Sequence, residues 1–169
     1  MLPVVSIVGK TGAGKTALME KLIGEFKKRG YRIAAVKHSP GKVEGENRRI
    51  SISKFAQAGS DAVVLSSLDK LALIRVMNHD SKIDEILHVI GSDFDLVLAE
   101  GFRKGKAPKI EVYRRELGED LLCPIKMLSA IVTDEPLDID VPQLPLNDTW
   151  ALADFIEKNF VFQAKGDTS

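Results

Sequence analysis

The most informative run of this chain is Gly9-Lys10-Thr11-Gly12-Ala13-Gly14-Lys15-Thr16. It matches the pattern G-x-x-x-x-G-K-[ST] of a phosphate-binding loop, in which backbone N–H groups converge on phosphate oxygens. The segment before it, residues 4–8, is apolar and rich in β-branched residues, as in a buried strand. The segment after it repeats apolar residues at helical spacing. This order of strand, loop and helix predicts nucleotide binding, and the alternative is a glycine-rich turn with an incidental lysine.

Each position of the loop has an expected role. The glycines let the backbone turn towards the phosphates, and the N-terminus of the following helix favours an anion. We expect Lys15 to reach the β- and γ-phosphates and to act in catalysis, and Thr16 to offer its hydroxyl to Mg²⁺. The predicted nucleotide-binding residues of this region are Gly9, Lys10, Thr11, Gly12, Ala13, Gly14, Lys15, Thr16 and Ala17.

Length and composition restrict the class of protein. The 169 residues suffice for one α/β domain, expected over residues 1–160, with a flexible tail at 161–169. The 24 basic residues balance the 24 acidic ones, so no net charge attracts nucleic acid or an anionic membrane. No apolar run approaches the roughly 20 residues that span a bilayer. The lone cysteine, Cys123, is expected to be a small buried residue in a reducing cytoplasm.

The order of apolar segments predicts a P-loop NTPase fold of three α/β/α layers, with a mostly parallel central sheet and an antiparallel hairpin. Hairpin strands are expected at 61–66 and 71–76, because only four residues separate them. A polar loop is expected at 39–50. Further helices are expected at 51–58, 83–90 and 149–159, and further strands at 31–36, 94–100, 110–113 and a last one at 128–132.

Ligands of such sheets bind outside the carboxyl ends of the parallel strands. Lys37 and His38 follow the second strand, where a lysine could bind a phosphate and a histidine could orient a ligand or cap a turn. Glu100 ends an apolar strand and is the candidate acidic partner of Mg²⁺, although a strand can also end on an ordinary surface acid. Asp95 begins the same strand and should therefore lie at the opposite edge of the sheet.

Two further side chains are candidates on the same edge. Arg103 belongs to a basic loop, residues 102–108, which could bind phosphates or a carboxylate-bearing partner, or could simply be solvated. Asp134 follows the strand at 128–132 and could accept hydrogen bonds from N1 and N2 of guanine. The alternative for Asp134 is ordinary turn chemistry before Glu135 and Pro136.

With these residues in view, the chain resembles the molybdopterin-guanine dinucleotide biosynthesis protein B (MobB) family. The resemblance spans about residues 2–160 and, besides the loop, uses Val36-Lys37-His38, Ala58-Gly59-Ser60-Asp61-Ala62, Glu100-Gly101-Phe102-Arg103, Pro108-Lys109-Ile110-Glu111-Val112, Ala130-Ile131-Val132-Thr133-Asp134 and Leu152-Ala153-Asp154-Phe155-Ile156. It implies a GTP-binding, weakly GTP-hydrolysing, dimeric adaptor. This adaptor acts beside the MobA-type guanylyltransferase that joins GMP to molybdopterin, and molybdopterin or its guanine dinucleotide is a further expected ligand. It also implies that Lys15, Thr16 and Glu100 hold the nucleotide and Mg²⁺.

Two positions bear on the expected turnover. The family usually has an Asp where this chain has Ser51, with Lys54 near the place of a family arginine, so hydrolysis is expected to be slower unless Glu44 or Glu46 substitutes. Lys10 also fits the variant loop whose early lysine crosses a dimer interface to the phosphates of the partner, where its charge would stabilise the transition state. The alternative for Lys10 is a surface lysine.

Two other functions remain open from the residues alone. A small-molecule kinase on this fold needs an acceptor pocket and usually an arginine-containing lid, for which Arg48 and Arg49 are the only suggestion. A metallochaperone GTPase for nickel or a related metal tends to carry His- or Cys-rich clusters. Three scattered histidines and one cysteine do not favour the second reading.

Overall fold

The structure is a computed structural model that describes residues 2–38, 55, 58–75 and 77–166. In chain order its elements are β1 (Val4–Val8), α1 (Lys15–Lys28), β2 (Ile33–Lys37), β3 (Ala62–Ser66), β4 (Leu71–Arg75), α2 (Ile83–Ile90), β5 (Leu96–Glu100), β6 (Lys109–Tyr113), β7 (Leu128–Thr133), β8 (Gln143–Pro145), α3 (Thr149–Ile156) and α4 (Phe162–Gly166). A π-helical turn, Glu157–Val161, joins α3 to α4. The chain divides into two compact units, residues 1–38 with 87–169, and residues 39–86.

The first unit contains a six-stranded sheet in the order β2-β5-β1-β6-β7-β8, and every neighbouring pair is parallel. The strand before the phosphate loop, β1, lies between β5 and β6, so the carboxyl ends of all three strands meet at one edge. This sheet and the separate antiparallel hairpin confirm the predicted fold class. The prediction that residues 128–132 form the last parallel strand is wrong, because β8 adds one more. This edge strand has only three residues and prolines at 142 and 145, so it has no readable alternation.

Helices α1 and α3 cover one face of the sheet. Their apolar sides form one core with the strands, contributed by Leu18, Leu22, Phe26, Leu152, Ala153 and Ile156. Arg29, just after α1, binds Asp154 and Glu157 at 2.7 and 2.9 Å and so ties the helices together. Helical spacing predicts that Trp150 is buried with the other apolar residues of α3, and this prediction is wrong. Trp150 is 63% exposed, with the Arg29 guanidinium 5.6 Å from its ring centroid.

Helical structure continues further than the sequence suggested. The predicted end was Asn159, but the π-helical turn and α4 extend the helix to Gly166. Val161, in the predicted tail, is fully buried, which explains why the chain stays helical there. The division of the chain into a domain at 1–160 and a tail stays a prediction.

On the opposite face of the sheet, β6 carries two buried charged residues. Lys109 donates to the carbonyl oxygens of Gly105 and Ala107 at 2.8 and 3.1 Å. Glu111 accepts hydrogen bonds from the backbone N–H groups of Leu122 and Cys123. The loops after β5 and β6 are thus held to the sheet by side chains of a single strand. Cys123 is buried as predicted, and burial together with nearby Glu111 raises the pKa of its thiol.

The second unit contains the predicted hairpin, with β3 and β4 antiparallel. Val64 pairs with Leu73 and Ser66 with Leu71, so these residues share one face of the hairpin. Val64, Leu71 and Leu73 are all exposed. The predicted loop at 39–50, with Glu44, Glu46, Arg48 and Arg49, lies outside the described residues. So does the predicted helix at 51–58, including Ser51 and Lys54, except for Phe55 and Ala58.

Candidate functional site

The backbone of the loop at 9–16 is shaped by its glycines. Gly14 precedes α1 with a φ of 91°, a conformation that favours glycine, and Lys15 is the first residue of the helix. At Gly9 the φ is +145°, and an added Cβ would lie 2.5 Å from the carbonyl oxygen of Val112 on β6. The loop therefore leaves β1 along a path that only glycine can follow, and it leads to the start of α1, where the first N–H groups of a helix have no intrahelical partner.

The ammonium group of Lys15 lies over the loop. Its Nζ donates to the carbonyl oxygens of Gly9 and Lys10 at 2.9 and 2.8 Å. Both partners are neutral, so a phosphate oxygen with its full charge would be the stronger acceptor. This placement suits the predicted role of Lys15 at the phosphates.

Three predicted residues from three elements come together beside Lys15. The Oγ1 atom of Thr16, in the first turn of α1, donates to the carboxylate of Glu100 at 3.0 and 3.2 Å. Lys37, the last residue of β2, places its Nζ 3.2 Å from Thr16 Oγ1 and 3.7 Å from Glu100 Oε2. The sheet register explains the meeting, since Glu100 pairs with Ile7 on one side and with Lys37 on the other.

The residues present fit Mg²⁺. A threonine hydroxyl and a carboxylate are the hard oxygen donors that this ion prefers. Glu100 is only 8% exposed, so its charge needs a cation close by. Asp95 directly precedes β5, at the opposite end of the strand from Glu100, and accepts a hydrogen bond from the backbone N–H of Arg32 at 2.8 Å. It is therefore placed as predicted, away from the loop.

His38 is also on this edge, held by packing and backbone contacts. Its N–H donates to the carbonyl oxygen of Glu100 at 2.9 Å, and its ring lies 5.0 Å from the ring of buried Phe102. Arg103 comes next, on the loop that Lys109 holds, and its side chain is exposed. The structure thus brings Lys37 to Thr16 and Glu100, whereas the His38 ring packs against Phe102 and Arg103 is exposed to solvent.

Asp134 lines a separate pocket of about 380 Å³ next to α1. The other lining residues are Lys21, Arg114, Thr133, Pro145, Leu146 and Asn147. Arg114 connects this pocket to the loop, because its Nε donates to the carbonyl oxygen of Ala13 at 3.1 Å. A nucleotide with phosphates on the loop would therefore have a cavity of polar and apolar side chains nearby for its base.

Lys10 lies on the other side of the loop. Its Nζ donates to the carbonyl oxygens of Leu117 and Gly118 at 3.0 and 3.4 Å, in the turn that follows β6. Within one chain this lysine thus holds the loop to the turn. To reach a second chain, as the variant loop would require, it must leave both carbonyls.

Sequence reasoning missed Arg114, Lys21 and Asn147. The position of Arg114 in the sequence could have identified it. It directly follows the predicted strand at 110–113, so it belongs on the same edge of the sheet as Lys37 and Glu100. Lys21 is an exposed polar residue of α1, and Asn147 lies just before the N-cap residue of α3, so neither stands out as a site residue in the sequence. Their approach to Asp134 depends on how β7 and β8 pack beside α1, which no local pattern encodes.

Residues 2–38, 55, 58–75 and 77–166 contain no group of three or more His, Cys, Asp or Glu side chains arranged to hold a metal ion. None of the helices described there is long and apolar enough to cross a membrane.

The parallel sheet, the glycine loop before α1 and the acidic neighbour on β5 define the P-loop NTPase class of folds. A family model described as molybdopterin guanine dinucleotide synthesis protein B matches residues 4–134. The chain belongs to this family, as its sequence motifs suggested.

Individual relatives agree with this assignment. The chain is 32% identical over 157 residues to a molybdopterin-guanine dinucleotide biosynthesis adapter protein of Haemophilus influenzae, covering 92% of this chain and 88% of the relative. It is 30% identical over 162 residues to the protein of the same description in Escherichia coli, covering 92% of each. A crystal structure of molybdopterin-guanine biosynthesis protein B matches with a TM-score of 0.71 and 28% identity, covering 92% of this chain and 97% of that one.

Proposed function

We propose that this chain binds GTP with Mg²⁺ at the loop 9–16 and acts as an adapter in the synthesis of molybdopterin guanine dinucleotide. The observation that carries the nucleotide site is the contact of Thr16 with Glu100. It joins the helix after the loop to the strand beside it, and it forms the pair of oxygen donors that a nucleotide-bound Mg²⁺ needs. The adapter role is supported by the family and by relatives described with that name.

Selection of guanine is proposed for the pocket at Asp134. A carboxylate can accept hydrogen bonds from both N1–H and the N2 amino group of guanine, whereas adenine presents no such pair of donors. Arg114 bridges this pocket to the loop carbonyl of Ala13, so the base and the phosphates of one nucleotide could be bound together.

Hydrolysis of GTP is proposed to be weak. Lys15 is the cation that would stabilise charge on the transferred phosphate, and Mg²⁺ would neutralise further charge there. Lys10 is proposed as a second cation, supplied to the partner chain of a homodimer. The exposed apolar face of the hairpin, with Val64, Leu71 and Leu73, is a surface that a second copy of the chain could cover.

The proposed protein partner is the MobA-type guanylyltransferase in the cytoplasm, and molybdopterin or its guanine dinucleotide is a proposed further ligand. The basic loop with Arg103 supports this part of the proposal. Its positive side chains are exposed at the edge of the sheet where the nucleotide would bind, so they could contact an anionic ligand or an acidic partner surface.

The decisive measurement is titration calorimetry of the purified protein with GTP and ATP, each with and without Mg²⁺. We expect GTP to bind more tightly than ATP and to bind more tightly with Mg²⁺ than without it. Lys15→Ala should abolish binding of both nucleotides, because it removes the cation at the phosphates.

Asp134→Ala tests the base pocket. This variant should lose most of the preference for GTP while retaining ATP binding. The matched control is Asp138→Ala, an exposed aspartate in the same loop that does not line the pocket, and it should retain the preference. ATP binding equal to or better than GTP binding would contradict the proposal and favour a kinase. Stoichiometric binding of nickel or zinc would instead favour the metallochaperone.

A further inference from the structure

Lys37 occupies a position that a metal ion would also need. Its ammonium nitrogen lies 3.2 Å from Thr16 Oγ1 and 3.7 Å from Glu100 Oε2, between the two side chains proposed to hold Mg²⁺. A positive charge therefore already sits at these oxygen donors.

Charge repulsion at short distance makes the two cations alternatives. A threonine hydroxyl has one proton and two lone pairs. Thr16 uses its proton towards Glu100, at 3.0 and 3.2 Å, and its oxygen accepts from Lys37. A metal ion bound through the second lone pair would lie close to the ammonium group, and like charges at such short separation repel. The ammonium group and the metal ion therefore compete for the same donors.

Burial explains why a resident cation is useful. Glu100 is 8% exposed, and a buried carboxylate without a cation is costly. Lys37 is held next to it by strand register, since the two residues pair across β2 and β5. The Lys37 side chain is itself 60% exposed, so its ammonium group can move into water when another cation arrives.

We propose that Lys37 is an internal competitor of Mg²⁺. It neutralises Glu100 and occupies Thr16 while metal is absent, and it sets the Mg²⁺ concentration at which the metal takes over. The inference rests on the proposed function, because it concerns the metal of that nucleotide site. It differs from a phosphate-binding role for Lys37, in which loss of the lysine would weaken nucleotide binding at every Mg²⁺ concentration.

The test compares the unaltered protein with Lys37→Met by calorimetric titration of GTP over a series of Mg²⁺ concentrations. Lys37→Met should reach half of its Mg²⁺-dependent gain in affinity at an about two- to fivefold lower Mg²⁺ concentration, since an ion pair with one exposed partner contributes about that factor. Its affinity in the absence of Mg²⁺ should fall, because Glu100 then repels the phosphates. At saturating Mg²⁺ its affinity should equal that of the unaltered protein.

Controls separate the competing explanations. Lys37→Arg keeps the charge and should keep the midpoint close to the unaltered value. Lys28→Met removes an exposed lysine at the far end of α1 and should leave the Mg²⁺ midpoint unchanged, which excludes an effect of net charge alone.

An unchanged or higher midpoint in Lys37→Met, or weaker binding at saturating Mg²⁺, would overturn the inference while leaving the nucleotide site intact. Absence of Mg²⁺-dependent GTP binding in the unaltered protein would overturn the proposed function and the inference with it. A second neutral variant, Lys37→Gln, should repeat the shift if the lost charge is its cause.

Discussion

Gly101 is placed where an alanine would disturb both the fold and the candidate site. It directly follows Glu100, its φ is +90°, and an added Cβ would lie 2.9 Å from the carbonyl oxygen of His38. That carbonyl belongs to the backbone just after Lys37. Gly101→Ala should therefore destabilise the protein and also move the end of β2, where Lys37 meets Glu100.

The magnitude has two parts. A positive φ costs alanine about 1–2 kcal/mol, and the stiffer unfolded chain returns about 0.4–1 kcal/mol of this. The clash with a backbone oxygen adds about 1–3 kcal/mol, as for overpacking of a core. We expect a loss of about 2–4 kcal/mol in the free energy of unfolding of Gly101→Ala. In a chain of this size that loss lowers Tm by about 4–16 °C.

Gly91→Ala is the matched control. Gly91 has a φ of +81°, close to that of Gly101, but nothing lies within 4 Å of its added Cβ. The free energy of unfolding of Gly91→Ala should fall only by the cost of the positive φ, about 1 kcal/mol or less. Thermal and urea unfolding of both variants measure the difference. Equal losses in the two variants would refute the reasoning, because the contact with His38 would then contribute nothing.

Three other substitutions test the structure. Glu111→Gln should lower the free energy of unfolding by about 1–3 kcal/mol, because one of the two backbone N–H groups that Glu111 binds would face the amide NH₂ group of glutamine. Urea titrations measure this loss, and an unchanged midpoint would contradict it. Burial and the hydrogen bond to Glu157 raise the pKa of Tyr31 to about 12. The hydroxyl of Tyr31 therefore contributes fully to stability below pH 10, and this contribution is lost as the pH rises towards 12. The free energy of unfolding, measured at each pH, should consequently fall less between pH 10 and 12 in Tyr31→Phe than in the unaltered protein. Lys10→Ala should retain nucleotide affinity but lose any GTP turnover that rises with protein concentration. Turnover that depends on neither protein concentration nor Lys10 would exclude a role of Lys10 at the phosphates of a partner chain.

The glycine-rich loop at 9–16 and its acidic neighbour could be predicted because both depend on the local order of elements along the chain. A glycine-rich run between a strand and a helix is readable in the sequence, and the end of a parallel strand must lie at the carboxyl edge of the sheet. The sequence therefore predicts that Glu100 lies at the edge of the sheet that carries the loop and that Asp95 lies at the opposite edge. The structure agrees with both placements.

The pairing of Lys37 with Glu100 could not be predicted in the same way. These residues are 63 positions apart, and their contact depends on β5 entering the sheet between β1 and β2. The exposure of Trp150 has a similar cause. Helical spacing indicated an apolar position, but Arg29 offers its guanidinium beside the ring at the surface, and this contact depends on the packing of α3 against α1.

The loop at 9–16 is held by the segment that follows β6. Arg114 donates to the carbonyl oxygen of Ala13, and Lys10 donates to that of Leu117, so the start and the middle of the loop are bound to the same segment. In the proposed nucleotide complex, the Lys15 side chain would exchange two neutral carbonyl oxygens for charged phosphate oxygens. Because the backbone is already placed, little conformational entropy remains to be lost on binding. Nucleotide affinity at this site should therefore depend on Lys15 and on the cation beside Thr16 and Glu100, Lys37 or Mg²⁺, more than on ordering of the loop.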